Sequence, residues 1–433
     1  MTRYDAFFRE NWALLQQASL YHPEPNPTFE NPAFEDASFR ALIVRLSPFR
    51  DVDRSTPHLF LFQAVRRAVP DAYVDMAFFP PMHDRDRLLA AEVPLLVGIQ
   101  SWRDASEFDV VLVSNAYTLE LINLPYLLIH AGLPALASER EASVPPIILG
   151  GSNALATQAV ITPAGDCVAD AIFFGEGEGQ VAALVAGLAA NAGEPKSVRL
   201  ARAAEQVDGL WLANGPADQT VRKAVCAHPQ AEDLLTDYPT LDSDEAATAR
   251  LQVSFGCPAF CSFCFEGYDR KPYRELDREI LVETARKLKW QHGVEALDLY
   301  SCNFNTHRDV LALMMDLNRT YDRVGLKSQR VDVLAAMPAL LEAEVLADNR
   351  SFTLGIEGIS RRMRAFLHKS LSEAEIENVL VRLFGQKIRE IKLFYILTGH
   401  ETEADLEAFH RFVLQLKAWR QRYSRGLRVV FSF

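Results

Sequence analysis

The stretch V253-S-F-G-C-P-A-F-C-S-F-C-F265 sets the fold. A short apolar run ends in glycine, and Cys257, Cys261 and Cys264 follow with the spacing C-x-x-x-C-x-x-C. Three thiolates on one tight loop can hold three corners of a cubane iron–sulfur cluster. No fourth cysteine lies close by, so one iron would stay open to a small molecule. Two plainer readings stand beside it, a structural zinc knuckle and unligated core cysteines. Zinc usually takes four ligands from two Cys or His pairs, and no second pair exists here. A structural cluster would normally bring a fourth cysteine.

With Phe263 directly before the last cysteine, the loop closely resembles that of the radical S-adenosylmethionine (SAM) enzymes. In that family the amino and carboxylate groups of SAM chelate the open iron. One electron from the cluster then cleaves the sulfonium to give a 5′-deoxyadenosyl radical. The resemblance implies a 4Fe-4S cluster on Cys257, Cys261 and Cys264, with SAM as a second cofactor and Phe263 beside both. It also implies an electron donor such as flavodoxin or ferredoxin.

The 433 residues allow two or three domains, and 49% hydrophobic with 24% charged residues is a soluble globular composition. A net charge of −12 disfavours a general nucleic-acid surface but leaves room for one local basic groove. The N-terminal MTRYDAFFRENWALLQQ lacks the apolar region of a signal peptide. No apolar run approaches the ~20 residues of a membrane span, so no membrane partner is expected. Six cysteines with three on one loop are not a disulfide framework, and a reducing cytoplasm is the expected location.

Residues 1–38 read as an amphipathic helix and a Pro/Asn-rich connector. Over 39–190, apolar runs at 40–46, 73–79, 109–114, 145–151 and 170–176 alternate with helical stretches. That pattern predicts a doubly wound parallel α/β sheet, flavodoxin-like in order, with ligands at the carboxyl ends of the strands. Ser114 and Asn115, Gly150 and Gly151, and Glu176 and Gly177 fall at those ends as candidate cofactor contacts. With L-I-N-L-P-Y-L-L at 121–128, G-G-S-N at 150–153 and G-E-G-E at 175–178, this half looks like the cobalamin-binding-type domain preceding many radical SAM barrels. Such domains often carry D-x-H-x-x-G, whose histidine ligates cobalt. Here the loop is S-P-F-R-D-V-D-R-S-T (47–56), with no histidine before His58. The resemblance therefore implies cobalamin held without a histidine ligand, or a domain kept as scaffold.

Residues 191–248 read as a connector, with a small hairpin near 209–225 and an acidic linker after it. From 249 to 433 the periodicity is βα again, with strands at 251–255, 295–300, 326–331, 351–357, 390–397 and 427–433. Six units predict a partial (β/α)6 barrel with its site in the loops after the strands. The final run, LRVVFSF, has strand character and no stop signal, which raises the expectation that the natural protein continues past Phe433.

By the family resemblance, Ser301, Asn303 and Asn305 after the second strand offer oxygens to the SAM ammonium. Arg330 after the third strand suits a carboxylate, and Glu357 in G-I-E-G suits ribose hydroxyls or an ammonium. Thr398 and Gly399 would lie by the adenine, recognised through backbone. Cys302 is either a radical-accepting thiol or a small buried residue, and His307 is expected to face the following helix. The implied function is radical chemistry (methyl transfer, methylthiolation or rearrangement) on a small-molecule, peptide or RNA substrate. The alternatives are a non-catalytic iron–sulfur redox or sensor protein and a zinc-binding interaction module.

Overall fold

Five apolar runs become parallel strands whose two faces are both covered, which is why they read as continuous hydrophobic stretches rather than alternating ones. The computed structural model describes residues 3–216, 218–243, 247–327, 329–423 and 426–433, without the side chains of 154 and 155. Its contacts group residues 1–226 with 235–246 as one unit and 227–234 with 247–433 as a second. Residues 244–246 of the acidic linker lie outside the described residues.

In the first unit, β1 (Arg40–Arg45), β2 (Tyr73–Phe78), β3 (Val110–Ser114), β4 (Ile147–Gly150), β5 (Ala171–Phe173) and β6 (Leu210–Leu212) form one sheet ordered β2-β1-β3-β4-β5-β6. The first five are parallel and β6 is antiparallel. This is the doubly wound flavodoxin-like order, which leaves the carboxyl ends of β1, β3 and β4 side by side. The stretch 209–225 is not a hairpin. Leu210 pairs with Phe173 on the open edge of β5, and Ala224 returns to bridge Gly175 in parallel. The N-terminal segment belongs to this core: Phe8, wholly buried, stacks on Tyr21 and Trp102 at 5.0 and 5.3 Å.

The second unit has β7 (Thr248–Gln252), a two-stranded ribbon of β8 (Ser254–Phe255) and β9 (Arg274–Glu275), then β10 (Ala296–Tyr300), β11 (Arg323–Gly325), β12 (Ser351–Glu357), β13 (Glu390–Tyr395) and β14 (Arg428–Ser432). Two parallel sheets, β11-β10-β7 and β12-β13-β14, are joined where Gln329 bridges Leu354 in parallel. The six main strands thus run in chain order with helices between them, as a partial barrel. The third strand differs from expectation. It is short, at 323–325, and among the described residues Gln329 alone continues the pairing before a helix at Val331–Ala336. The helix at Glu373–Phe384 starts with the reciprocal Ser372–Glu375 capping box. Among the described residues no helix is long and apolar enough to cross a membrane.

Glu344 holds the seam between the two sheets. It is fully buried on the helix Pro338–Leu346, and its carboxylate accepts from Gln329 Nε2 at 2.7 Å and Asn349 Nδ2 at 3.0 Å. Burial pushes its pKa from 4.5 to about 7, against the opposing pull of those two bonds. Between these values the folded chain keeps a proton that the unfolded chain has lost, so stability is full below 4.5 and falls as pH rises through about 7. Glu344→Gln keeps an acceptor and gives a donor toward the unpartnered Gln329 Oε1. Above neutral pH the variant is expected to be more stable than wild type by on the order of a few kcal/mol, and so to melt at a higher temperature. Below the carboxylate range the two should coincide, which melting curves across this range would check.

Candidate cluster-binding site

The cysteine loop leaves β8 through Gly256 and is closed at its base by β9. Gly256 has φ +71°, and a Cβ there would lie 2.0 Å from the Arg270 carbonyl oxygen, so a side chain would break the close pass of the two segments. Lys271, which the sequence reading missed, holds the loop. Its ammonium donates to the carbonyls of Cys257 at 2.7 Å and Ala259 at 3.0 Å, and sits 3.7 Å from the Phe260 ring centroid. The Tyr268 hydroxyl donates to Phe260 O, and the Ser262 N–H donates to Leu367 O. A basic residue soon after the third cysteine was the available signal, but only the folded return segment shows its purpose.

Cys261 is buried, while Cys257 and Cys264 are half-buried. Burial pushes the Cys264 thiol up, opposed by the Gly267 N–H that donates to its sulfur at 3.3 Å, with Cys257 and Cys261 close enough to add to the rise. Among the described residues, no three His, Cys, Asp or Glu side chains converge on a single metal ion. In a cubane each thiolate meets a different iron. A donor set of three soft thiols on one loop, with an amide already aimed at a sulfur, fits that group. Phe263 and its neighbours Phe260 and Phe265 are exposed, whereas Phe255 and Phe304 are core.

After β10, Cys302 stands within electrostatic range of Cys257 and Cys264. Desolvation, then the Glu266 carboxylate, push the Cys302 thiol up to about 11, although the residue has an exposed face. On either side, buried Asn303 has neither amide atom partnered, and Ser301 has a buried hydroxyl without a partner. Asn305 differs from expectation. Its amide donates to Arg330 O at 3.1 Å and accepts from Arg330 N at 3.3 Å, clamping that stretch of backbone. Arg330 already holds a carboxylate of its own chain, Asp332, at 2.6 Å. Cys261 and Cys257 also lie within reach of its charge. His307 faces Leu276 O at 2.8 Å and the Asp309 N–H that begins the next helix.

Glu357 sits at φ +67° where the pairing of β12 with β13 slips by one residue. Burial raises its pKa and the Lys369 ammonium, 3.5 Å away, pulls it back. The N–H groups of Thr398 and Gly399 are both taken by the Glu401 carboxylate, at 2.8 and 2.9 Å.

In the first unit Ser114 and Gly150 are paired at the ends of β3 and β4. Asn115, fully buried, donates to Tyr117 O and Glu120 and accepts from Asn153. Gly151, at φ +119°, packs so closely on Asn115 that a Cβ would lie 2.1 Å from its carbonyl oxygen. Next to Gly150, the Ser114 hydroxyl is buried without a partner. Glu176 is a structural pin, accepting from Cys226 N at 2.8 Å, and a Cβ on Gly177 would strike Phe60. His58 is 1% exposed, edge-on to Phe49 and Phe78, and so sits in the core.

Comparison with known families agrees with this geometry. The model for the N-terminal domain of radical SAM proteins matches residues 59–212, and that of the radical SAM superfamily matches 251–413. Between them the two models cover most of the chain, so both units resemble radical SAM proteins in sequence. Among solved structures it resembles TsrM, a radical SAM methyltransferase from Kitasatospora setae solved with tryptophan substrate and a SAM analogue. The TM-score is 0.55 at 15% identity, over 87% of this chain and 71% of that one. It also resembles OxsB, a cobalamin-dependent SAM radical enzyme solved with aqua-cobalamin and SAM, with TM-score 0.57 at 14% identity, over 91% of this chain and 58% of that one. At such identities the likeness is one of fold. An uncharacterised protein of Methanocaldococcus jannaschii, MJ0966, is 24% identical over 192 residues, which is 42% of this chain and 41% of that protein.

Replacing Cys257, Cys261 or Cys264 singly by Ala is expected to abolish the roughly four irons per chain of anaerobically reconstituted protein. Cys167, in the core of the first unit, and Cys226 can be replaced without that loss. Iron analysis checks this, and a normal iron content in Cys261→Ala would sink the ligand assignment.

Proposed function

We propose that this chain is a methyl-transferring radical SAM enzyme, with its cluster on Cys257, Cys261 and Cys264 and a cobalamin in its first unit. The observation that carries the reading is Asn303, a buried amide with neither atom partnered. It adjoins Cys302, which lies within reach of two of the three thiols. A buried polar group left unpaired costs about 1–3 kcal/mol, so its retention makes sense if a polar ligand completes it. The ammonium and carboxylate of SAM offer the donor and the acceptor that this amide lacks.

When bound, the cluster and SAM supply a reductively formed carbon radical or a methyl group, and cobalamin supplies a methyl carrier. The chain's own residues bind and orient. Lys271 fixes the loop carbonyls, Ser301 and Asn303 present unpaired polar atoms, and Glu357 with Lys369 sets a neutral pair at the end of β12. Cobalamin held without a protein histidine is supported by the histidine-free loop at 47–56 and by the burial of His58. The unpaired Ser114 hydroxyl and the exposed apolar side chains of Tyr117, Leu119 and Ile122 offer a surface for a large, partly apolar ring. Electrons come from a low-potential protein such as flavodoxin or ferredoxin, in a reducing cytoplasm.

Reduced, reconstituted protein given SAM is expected to release 5′-deoxyadenosine or S-adenosylhomocysteine, and Asn303→Ala should weaken SAM binding by about ten-fold or more. Iron-loaded protein that releases neither product would favour a non-catalytic redox or sensor role.

A further inference from the structure

We infer that the inner wall of the barrel holds the anionic part of the substrate, a carboxylate or phosphate, through Arg250 and Lys392. The inference rests on the radical reading above and names the substrate class for that site. Along β7, β10 and β11 the register puts Arg250, Asp298 and Gly325 side by side on one face. The opposite face, with Ala249, Leu251, Leu297 and Leu299, is buried under the helices, so the first face is the inner wall. On β13 the buried residues are Ile391 and Leu393, which leaves Lys392 and Phe394 on the inner wall too.

Arg250 and Asp298 are direct cross-strand neighbours and would ordinarily pair. They do not. The Asp298 carboxylate turns instead over Gly325, where a Cβ would lie 1.8 Å from its Oδ1, and is met by Lys327 at 3.0 Å and Arg323 at 4.0 Å. Arg250 is left half-buried with no hydrogen-bond or ion-pair partner among the described residues. Lys392 is half-buried as well. It rests 4.6 Å from the Phe394 ring centroid, with no ion-pair partner among the described residues.

Other inner-wall charges cancel, Glu357 with Lys369 and Glu390 with Arg428. In a chain of net charge −12, the uncancelled charge on this wall is positive. Half-buried cations without partners carry a desolvation cost that a bound anion would offset. β7 and β13 are the first and fifth of the six main strands, so the two cations stand on different walls of the barrel.

The test is calorimetric titration of the cluster-loaded protein, without SAM and at low salt, with inorganic pyrophosphate in one arm and citrate in the other. At least one should bind. Arg250→Gln and Lys392→Gln should each weaken it by roughly ten-fold or more, and Arg250→Lys should retain most of the affinity, which guards against misfolding. Arg428→Gln, at a cancelled pair, should leave it unchanged. Tighter pyrophosphate binding identifies a phosphate-bearing substrate and tighter citrate binding a carboxylate. Equal affinity in wild type and both Gln variants overturns the inference, as does equal loss in Arg428→Gln. Iron content and SAM cleavage on the same samples separate the two levels. Intact cleavage with unchanged anion affinities defeats this inference alone, and anion binding lost in the variants of a protein that never cleaves SAM defeats the radical reading alone.

Discussion

Three thiols can face one cluster only if the loop that carries them turns its own carbonyls away and keeps them satisfied. In this chain one ammonium does that work. Lys271 collects the carbonyls of Cys257 and Ala259 while its charge rests on the Phe260 ring. A charge-assisted bond of this kind is about twice as strong as a neutral one, and here a single side chain makes two of them. The geometry also requires the returning segment to pass close beneath Gly256, which is why a residue without a side chain stands there. The thiols take their positions from that turn and the ribbon that flanks it.

Much of this was legible in the sequence, for physical reasons. Parallel strands buried on both faces leave uninterrupted apolar runs, and all five such runs in the first half became strands in the expected order. The cysteine spacing is local, so the loop was readable. The capping box at Ser372 and Glu375 was readable for the same reason. Readings that depended on distant partners went differently. Leu210–Leu212 joined the open edge of β5 instead of folding on its own neighbours, a choice that no local signal announces. The third barrel strand was placed too late because, among the described residues, only Gln329 takes up its pairing again, held from afar by Glu344.

Side-chain roles followed the same rule. Residue type suggested that Asn303 and Asn305 were equivalent, yet one is unpartnered and the other is spent on the Arg330 backbone. Arg330, Thr398 and Gly399 are likewise engaged by carboxylates only two or three residues away in sequence. The cations of the inner wall were invisible to periodicity, because their meaning depends on which way Asp298 turns. That choice rests on the missing side chain of Gly325. Composition disfavoured a general nucleic-acid surface and said nothing of where single cations would stand.

The central claim is that the three-cysteine loop leaves one iron free for SAM. The most direct measurement is paramagnetic resonance of the reduced, cluster-loaded chain, recorded with and without SAM labelled at its amino nitrogen. The account predicts a reduced 4Fe-4S signal that changes on adding SAM and acquires hyperfine coupling from the labelled nitrogen. A cluster signal that SAM leaves unchanged, with no coupling from the label, would contradict it.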